Sequence, residues 1–446
     1  MDEQSILIAR VLFWTLGAMA LFLPMRWSLL ALILITHVDI TTSTFDSATS
    51  VGIENALKTV LLPLLLYVRF CWSSKRRISW NLPMCLWAML VAWAALSVLW
   101  SPFQLSGLKM VGYLVCYPIL AAVLLEGWHQ RALSPNVLAA ALWISLFLGA
   151  AQTWMLGNWY GRLPGMNDDR FTSFCTPQTY AAFVVAILSV LLITQRLSWP
   201  ARLTHWSGAL AGLLLSGSRY VFLGALGMVV IVSIGYILQD ASHAGRLRRL
   251  AGAVAAILIA SAAGTAYFST TSTSRIGELL RILAEGDSPF DRMGTLVWRK
   301  GIYEQAWQRL AGRDPVAITI GSGTSSGASI VLGYDLRYDE NRVDANRVVH
   351  NEILRALYEW GIVGFILFVG MLAALGWYFY RAAVHERIQP AYAFLSLLPT
   401  LILGCLSENI LAGSSSPAGV GLLVSLTYGV AYCHFAQARR RQALVS

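Results

Sequence analysis

A histidine at the start of an apolar segment is the residue best placed to do chemistry in this sequence. His350 ends a long polar stretch and directly precedes Asn351 and an apolar run that continues to Tyr380. At a helix N-terminus the positive end of the helix dipole favours the neutral imidazole, which is the form that acts as a general base. For the residue taken alone, a surface histidine that only forms a hydrogen bond at a helix start is an equally good interpretation.

The composition predicts an all-α integral membrane protein around this histidine. Of the 446 residues, 57% are hydrophobic and only 13% are charged, whereas soluble globular proteins carry about 25% charged residues. Apolar windows near the roughly 20 residues needed to cross a bilayer as a helix recur along the chain. These windows cover residues 6–24, 27–43, 53–72, 81–100, 106–125, 135–156, 175–195, 204–217, 220–239, 250–268, 352–380, 390–411 and 417–436.

The basic residues between the windows predict the orientation of the chain. Short connections with clustered Lys and Arg are expected in the cytoplasm, and they lie at 75–77, 196–202, 246–249, 381–387 and 439–441. The segments 157–174, 216–219, 269–350 and 412–416 then face the opposite side. Thirteen windows would place the termini on opposite sides, so we favour about 12 spans in which 6–43 is a kinked or re-entrant pair. The net charge of +10 is then explained mostly by the basic connections that orient the chain, and it does not require a nucleic-acid partner.

One large loop divides the chain into three regions. Residues 1–268 hold the first ten windows, 269–351 form an external loop domain, and 352–446 hold the C-terminal windows. Within the loop, apolar residues recur at a spacing of four, which predicts an amphipathic helix over 292–310 lying on the outer membrane surface; they are Trp298, Ile302, Ala306 and Leu310. The glycine-rich segment 321–327 that follows is predicted as a flexible turn, although such glycines can also form an anion-binding nest.

The segment after the loop is predicted to be one continuous helix. His350, Leu354, Leu357, Gly361 and Gly364 fall on one of its faces, and the two glycines permit another helix to approach closely. Charged residues occupy its first turns, so we expect these turns to stand above the hydrocarbon; they are Glu352, Arg355 and Glu359.

This segment resembles the signature of the O-antigen ligase family. The signature is His, then Asn, Ser or Gln, nine residues, Gly, two residues, and finally Gly, Thr or Tyr; His350, Asn351, Gly361 and Gly364 occupy its four positions. The large loop directly before the segment agrees with the resemblance, which extends in topology across most of the chain. O-antigen polymerases and pilin oligosaccharide transferases are more distantly similar.

The resemblance implies an inverting, metal-independent glycosyltransferase of the GT-C type, acting on the periplasmic face of the inner membrane of a Gram-negative bacterium. Its donor would be O-antigen linked to undecaprenyl diphosphate, and its acceptor a sugar hydroxyl of lipid A-core, both presented in membrane lipid. The residues agree on one point, because no Asp-x-Asp pair for a metal-bound diphosphate occurs in the sequence. We therefore expect neither a metal nor a cofactor.

Arginines are the expected replacement for a metal, because a guanidinium group binds phosphate oxygens bidentately. Arg219 lies between two apolar windows, where a charge is costly and usually functional. It stands in Ser216-Gly217-Ser218-Arg219-Tyr220, a Ser-x-Arg-like element that resembles one the family carries. A lipid-headgroup anchor is its alternative role. Arg170 precedes a window in the way a family arginine does, although an ion pair with Asp168 or Asp169 is its alternative.

Three further arginines are weaker candidates for the diphosphate. Arg162 shares the loop of Arg170 but has only a turn as its context. The family places a functional arginine shortly before the glycine-rich turn, and both Arg292 and Arg299 fit that position. Arg299 is slightly favoured because it adjoins Trp298.

In the reaction that the resemblance implies, His350 accepts the proton of the acceptor hydroxyl. Asn351 or Glu352 is expected to orient the imidazole, and nothing in the sequence selects between them. A polymerase acting on lipid-linked repeats is the main alternative. A transporter of lipid-linked oligosaccharides is the remoter one, because a transporter would show midplane charges, whereas the charges here crowd one face.

Overall fold

The computed structural model describes residues 3–35, 38, 60–72, 82–156, 177–193, 198–216, 218–239, 245, 282, 284–286, 294–330, 349, 351–386 and 390–407. Within these ranges every regular element is a helix and none is a strand. The all-α architecture is therefore confirmed for this part of the chain.

The helices follow the apolar windows closely. In chain order they are α1 (Glu3–Phe22), α2 (Met25–Ile35), α3 (Leu62–Phe70), α4 (Leu82–Ser97, extended by a 3-10 turn Val98–Trp100), α5 (Gln104–His129), α6 (Pro135–Leu156), α7 (Pro177–Ile193), α8 (Trp199–Ser216), α9 (Arg219–Gln239), α10 (Gly294–Ala311), α11 (Pro315–Ile320), α12 (Glu352–Tyr380, extended by a π turn Arg381–His385) and α13 (Pro390–Ser407). The windows 250–268 and 417–436 lie outside the described residues.

Several helices are suited to a bilayer. Among the described residues, four are long and apolar enough to cross one, namely Leu82–Trp100, Gln104–Leu124, Asn136–Leu156 and Glu352–His385. Shorter apolar helices cover Leu7–Phe22, Met25–Ile35 and Phe394–Leu406. The chain is thus a membrane protein, and the number of about 12 spans stays a prediction.

The first two helices form a hairpin. A tight turn joins them, in which the Ser28 hydroxyl donates to the carbonyl of Leu23 at 2.6 Å, and α1 packs along α2. The 11 residues of α2 rise about 16 Å, roughly half the thickness of the hydrocarbon core. A short second helix folded back on the first is the geometry that a kinked or re-entrant pair requires. The side on which the N-terminus lies stays a prediction.

Two helix pairs form the frame of the bundle, α9 with α13 and α12 with α4. In the first pair, a Cβ at Gly224 would overlap Thr400, and a Cβ at Gly227 would lie 3.2 Å from Pro399. Small residues allow helix backbones to approach this closely in membranes. The later glycine of α9 contacts the earlier residue of α13, so the two helices are antiparallel. The first residue of α9 therefore lies at the end of the bundle where α13 finishes.

Buried apolar residues form two separate cores. The larger one contains residues of all the helices from α1 through α9, together with residues of α12 and α13. The smaller one, which we call the loop core, lies where α10 meets the first turns of α12, and it consists of Ile302, Ala306, Leu310, Ile330, Val349 and Tyr358. Because α12 contributes to both cores, it connects the loop domain to the bundle.

Candidate active site

The site predicted around His350 is built on the N-terminus of α12. Asn351 is the N-cap of this helix: its side-chain Oδ1 accepts the backbone N–H of Leu354 at 3.0 Å, and its carbonyl accepts that of Arg355 at 2.9 Å. On the other side of the histidine, Val349 is buried in the loop core. Both chain neighbours of His350 are therefore anchored, while His350 itself lies outside the described residues.

A buried cluster of three charges, Glu352, Arg355 and Glu359, follows the cap. These side chains are 1%, 0% and 0% exposed. Arg355 Nη2 lies 2.8 Å from Glu352 Oε2, and the guanidinium carbon lies 5.3 Å from the centre of the Trp360 ring. Among the described residues, none of the three guanidinium nitrogens has an acceptor aligned for a hydrogen bond. The three side chains are thus buried inside the protein, so their presence does not by itself show that these turns stand above the hydrocarbon.

The predicted continuous face of α12 is interrupted at Gly361. This residue has φ 66° and ψ −167°, which is not a helical conformation, so the helix is kinked there. Leu354 and Leu357 pack against the loop core before the kink, and Gly364 follows it. The prediction of one face from His350 to Gly364 is therefore wrong, because the helix axis changes direction at Gly361.

Close approach at these glycines involves two different partners. A Cβ at Gly361 would overlap the carbonyl of Thr319, at the end of α11. A Cβ at Gly364 would overlap Trp360 Cβ of its own helix and would also lie 3.0 Å from Trp93 Cδ1 in α4. The predicted approach of a neighbouring helix is thus confirmed for Gly364. At Gly361 the partner is the backbone that leads into the glycine-rich turn.

The kink leaves backbone carbonyls of α12 without their usual helical partners, and the turn supplies new ones. Ser322 N–H donates to the carbonyl of Tyr358 at 3.1 Å, and Gly323 N–H donates to that of Glu359 at 2.8 Å. Trp93 Nε1 donates to the carbonyl of Trp360 at 2.9 Å. Burying a backbone carbonyl without a donor costs about 1–3 kcal/mol, so the turn and the kink stabilise each other.

The glycine-rich turn forms a nest of backbone N–H groups, and the nest holds the Glu359 carboxyl group. Three residues at alternate positions have positive φ, namely 77° at Gly321, 93° at Gly323 and 71° at Ser325. Ser325 N–H donates to Glu359 Oε2 at 2.9 Å, and Gly327 N–H donates to Oε1 at 3.1 Å. A left-handed conformation costs a non-glycine residue about 1 kcal/mol, and at Ser325 the surrounding contacts hold it. The prediction of a flexible turn is therefore wrong, because this segment is tied down along its length.

The end of α4 holds the other side of the turn through Thr324. The Thr324 hydroxyl donates to the carbonyl of Ala94 at 2.7 Å and accepts Trp360 Nε1 at 2.9 Å. Its N–H donates to Ser97 Oγ at 3.1 Å, and its carbonyl accepts the Ser101 hydroxyl at 2.6 Å. Sequence reasoning missed these groups. Two serines four residues apart at the end of an apolar window could have indicated a polar contact there.

The helix predicted in the loop is confirmed, as α10. Its apolar face, with Ile302, Ala306 and Leu310, packs in the loop core against protein, and Trp298 packs at the edge of this core. Trp307 is 63% exposed. The prediction that the apolar face lies on the membrane surface is therefore wrong, since the first turns of α12 cover it.

Arg313 is a loop arginine that sequence reasoning did not single out. Its Nη1 donates to the carbonyl of Tyr358 at 3.0 Å, and its guanidinium carbon lies 3.7 Å from the centre of the Tyr358 ring. Arg313 thus fastens the segment after α10 to the kinked part of α12.

The predicted phosphate-binding arginines are only partly described. Arg219 is the first residue of α9, directly after the buried Ser218. This end of α9 lies where α13 finishes, and there the Tyr303 hydroxyl of α10 donates to the carbonyl of Leu406 at 3.4 Å. Arg299 is a half-buried residue of α10. The predicted residues Arg162, Arg170 and Arg292 lie outside the described residues.

Within the described ranges, no three His, Cys, Asp or Glu side chains come together as metal ligands. The roles predicted for His350, Arg219 and the loop arginines stay predictions, as does the orienting role of Asn351 or Glu352. The geometry adds that Asn351 Oδ1 is used by the helix cap and that Glu352 is paired with Arg355.

Comparison with known proteins agrees with the resemblance. Residues 204–369 match a family model described as O-antigen ligase, a region that runs from α8 into the middle of α12. No curated protein matches the chain. The resemblance carried by the His350–Gly364 pattern is confirmed: over residues 204–369 this chain carries the domain of the O-antigen ligase family.

Proposed function

We propose that this protein is an inverting glycosyltransferase that transfers O-antigen from undecaprenyl diphosphate to a sugar hydroxyl of lipid A-core. The observation that carries the proposal is the extent of the family match, which includes both Arg219 and the complete His350–Gly364 segment. We further propose that the protein has the GT-C fold, works without a metal ion, and lies in the inner membrane with its site on the periplasmic face.

The proposed reaction is a single displacement at the anomeric carbon. The acceptor hydroxyl oxygen attacks this carbon from the face opposite the diphosphate, while neutral His350 takes up the hydroxyl proton. The bond between the anomeric carbon and the diphosphate oxygen breaks, and undecaprenyl diphosphate leaves with the bonding electrons. The configuration of the anomeric centre is thereby inverted.

Cationic groups stabilise the leaving diphosphate in this reaction. Arg219 is the proposed main contact because it opens a helix at the end of the bundle that α10 contacts. Arg170 and one of the loop arginines, Arg299, Arg292 or Arg162, complete the phosphate site. Fixed positive charge placed where negative charge develops lowers the barrier without reorganisation.

Release of undecaprenyl diphosphate by the purified protein tests the proposal. The protein is given lipid-linked O-antigen and lipid A-core in detergent with a chelator, and both the released carrier and the extended lipid A-core are measured. We expect both products to form in equal amounts. Carrier release that requires an added divalent metal would contradict the metal-independent mechanism, and the absence of any release would contradict the proposed enzyme class.

The same assay distinguishes the polymerase alternative, which uses the same displacement with a different acceptor. With lipid A-core omitted, a polymerase would join one carrier-linked glycan to another and give a longer carrier-linked product. We expect no such product from this protein. A transporter would move the lipid-linked glycan across a vesicle membrane without releasing the carrier.

A further inference from the structure

We infer that Glu359 is a positioning residue of the site: its carboxylate occupies the 321–327 nest and, through Gly327, fixes Val349, the residue that directly precedes His350. This inference rests on the proposed function, because it assigns Glu359 a role in the reaction of that site. It adds a buried residue that touches neither the donor nor the acceptor.

The first step of the argument is that Glu359 is committed to the turn. Its side chain is fully buried, and its two carboxylate oxygens accept the N–H groups of Ser325 and Gly327. Its own carbonyl accepts the N–H of Gly323. Three backbone amides of one turn therefore converge on a single residue of α12, which is the arrangement by which a nest holds an anion.

The second step connects the turn to the segment before His350. A Cβ added to Gly327 would lie 2.9 Å from Glu359 Oε1 and 3.3 Å from Val349 Cγ2. The carboxylate and Val349 thus both border the space where a Gly327 side chain would lie, and they leave no room for a methyl group. A shift of Gly327 away from Glu359 therefore moves the contact surface of Val349, which directly precedes the histidine.

The third step is that the two chain neighbours of the histidine are held in place. Asn351 on its far side is fixed by capping α12, and Val349 is held by the loop core and by Gly327. Small displacements of a general base have large effects on rate, because proton transfer requires hydrogen-bond distance to the reacting hydroxyl. Loosening Val349 is therefore expected to lower kcat more than it changes the binding of either lipid.

The experiment compares Glu359→Gln with the wild type in two measurements. A glutamine presents one acceptor oxygen where the carboxylate presents two, so one of the two amides loses its partner. Hydrogen–deuterium exchange of the purified protein should show about tenfold or faster exchange at Ser325 or Gly327, with the rest of α12 unchanged. In the transfer assay, kcat should fall about tenfold or more while KM for donor and acceptor changes by less than about threefold.

Two further variants keep the result interpretable. Glu304→Gln makes the same change at an exposed residue of α10 and should leave exchange and kcat at wild-type values. Val349→Ala shortens the last contact before the histidine without touching the carboxylate. It should lower kcat while the amides of Ser325 and Gly327 continue to exchange slowly. This variant therefore tests the inference even if Glu359→Gln fails to fold.

The outcomes separate the inference from the proposed function. Unchanged exchange in a folded Glu359→Gln protein would show that the carboxylate does not hold the turn. Faster exchange with wild-type kcat in Glu359→Gln, or wild-type kcat in Val349→Ala, would show that the hold has no part in catalysis. If the wild type transfers nothing to either acceptor, the proposed function fails and the positioning role fails with it. The hydrogen–deuterium exchange measurement still decides whether Glu359 holds the turn.

Discussion

Glu359 Oε1 accepts the backbone N–H of Gly327 at 3.1 Å, across 32 residues of chain. This bond joins the glycine-rich turn of the loop to a helix that continues into the membrane-spanning part of the protein. Substitutions near the site are therefore expected to act on two properties, the chemistry proposed for His350 and the attachment of the turn. Separating them requires variants matched in size and location.

Loss of either proposed catalytic side chain should abolish transfer in cells. In a strain that lacks its own ligase, His350→Ala and Arg219→Ala should each give no O-antigen-capped lipopolysaccharide, because the base or the main diphosphate contact is missing. Gel electrophoresis of lipopolysaccharide and immunoblotting of the membrane fraction provide the measurement. His385→Ala and Arg381→Ala, at exposed positions beyond the far end of α12, should cap normally. Normal capping by His350→Ala or Arg219→Ala would rule out the assigned role.

Asn351 should contribute mainly through the helix cap. Asn351→Ala removes the acceptor of the Leu354 N–H, and loss of such a cap costs about 1 kcal/mol. Asn351→Ser retains a capping oxygen and should restore most of this stability, as measured by thermal unfolding in detergent. If capping is the whole role of the side chain, Asn351→Ser should also restore transfer. A serine variant with wild-type stability and little transfer would instead indicate that the amide orients His350.

The buried cluster should depend strongly on its arginine. Arg355→Met fills a similar volume but leaves Glu352 and Glu359 without the cation between them, and breaking a buried ion pair costs about 3–5 kcal/mol. We expect a large fall in unfolding temperature or in the yield of folded protein. The matched change Arg381→Met removes an exposed pair with Glu386, at 3.6 Å, and should cost less than about 1 kcal/mol. Equal stability of the two variants would contradict a structural role for the cluster.

Gly361 should tolerate no side chain. Alanine at this position would have to adopt φ 66° and would overlap the carbonyl of Thr319, so we expect a loss of at least about 1–3 kcal/mol. At Gly370, later in the same helix, a Cβ would make only an ordinary van der Waals contact, 4.0 Å from Leu86 Cδ1. Gly370→Ala should therefore be neutral or stabilising by up to about 1 kcal/mol. Thermal unfolding of both purified proteins measures the difference. An alanine variant at 361 with wild-type stability would show that the kink is not required.

Much of the helical framework could be predicted because apolar length is a local property of the sequence. The windows 135–156 and 352–380 coincide with α6 and α12, and the spacing of Ile302, Ala306 and Leu310 gave the buried face of α10. The partner of that face could not be predicted in the same way. An apolar stripe packs equally well on a membrane or on another helix, and only the fold shows that α12 covers it.

The site was predicted less completely, because its defining interactions join distant segments. A charge at Glu359 is normally solvated, and nothing local shows that amides from 325 and 327 surround it. Glycines at 361 and 364 similarly indicated close helix packing, whereas the positive φ at Gly361 depends on the backbone at Thr319. Sequence spacing predicts where the site lies, and long-range contacts determine how the segment around it is held.

The contact between Thr324 and the end of α4 also constrains the order in which the protein can be assembled. Ser97 is synthesised 227 residues before Thr324, so α4 must enter the membrane with its serine and the carbonyl of Ala94 not yet matched to the loop. The loop then has to be synthesised, and α12 has to follow it, before these groups meet. Biogenesis of the site is therefore a late event that follows insertion of the early helices, and a nascent chain that stops before α12 would expose the same polar groups to the machinery that recognises unassembled membrane proteins.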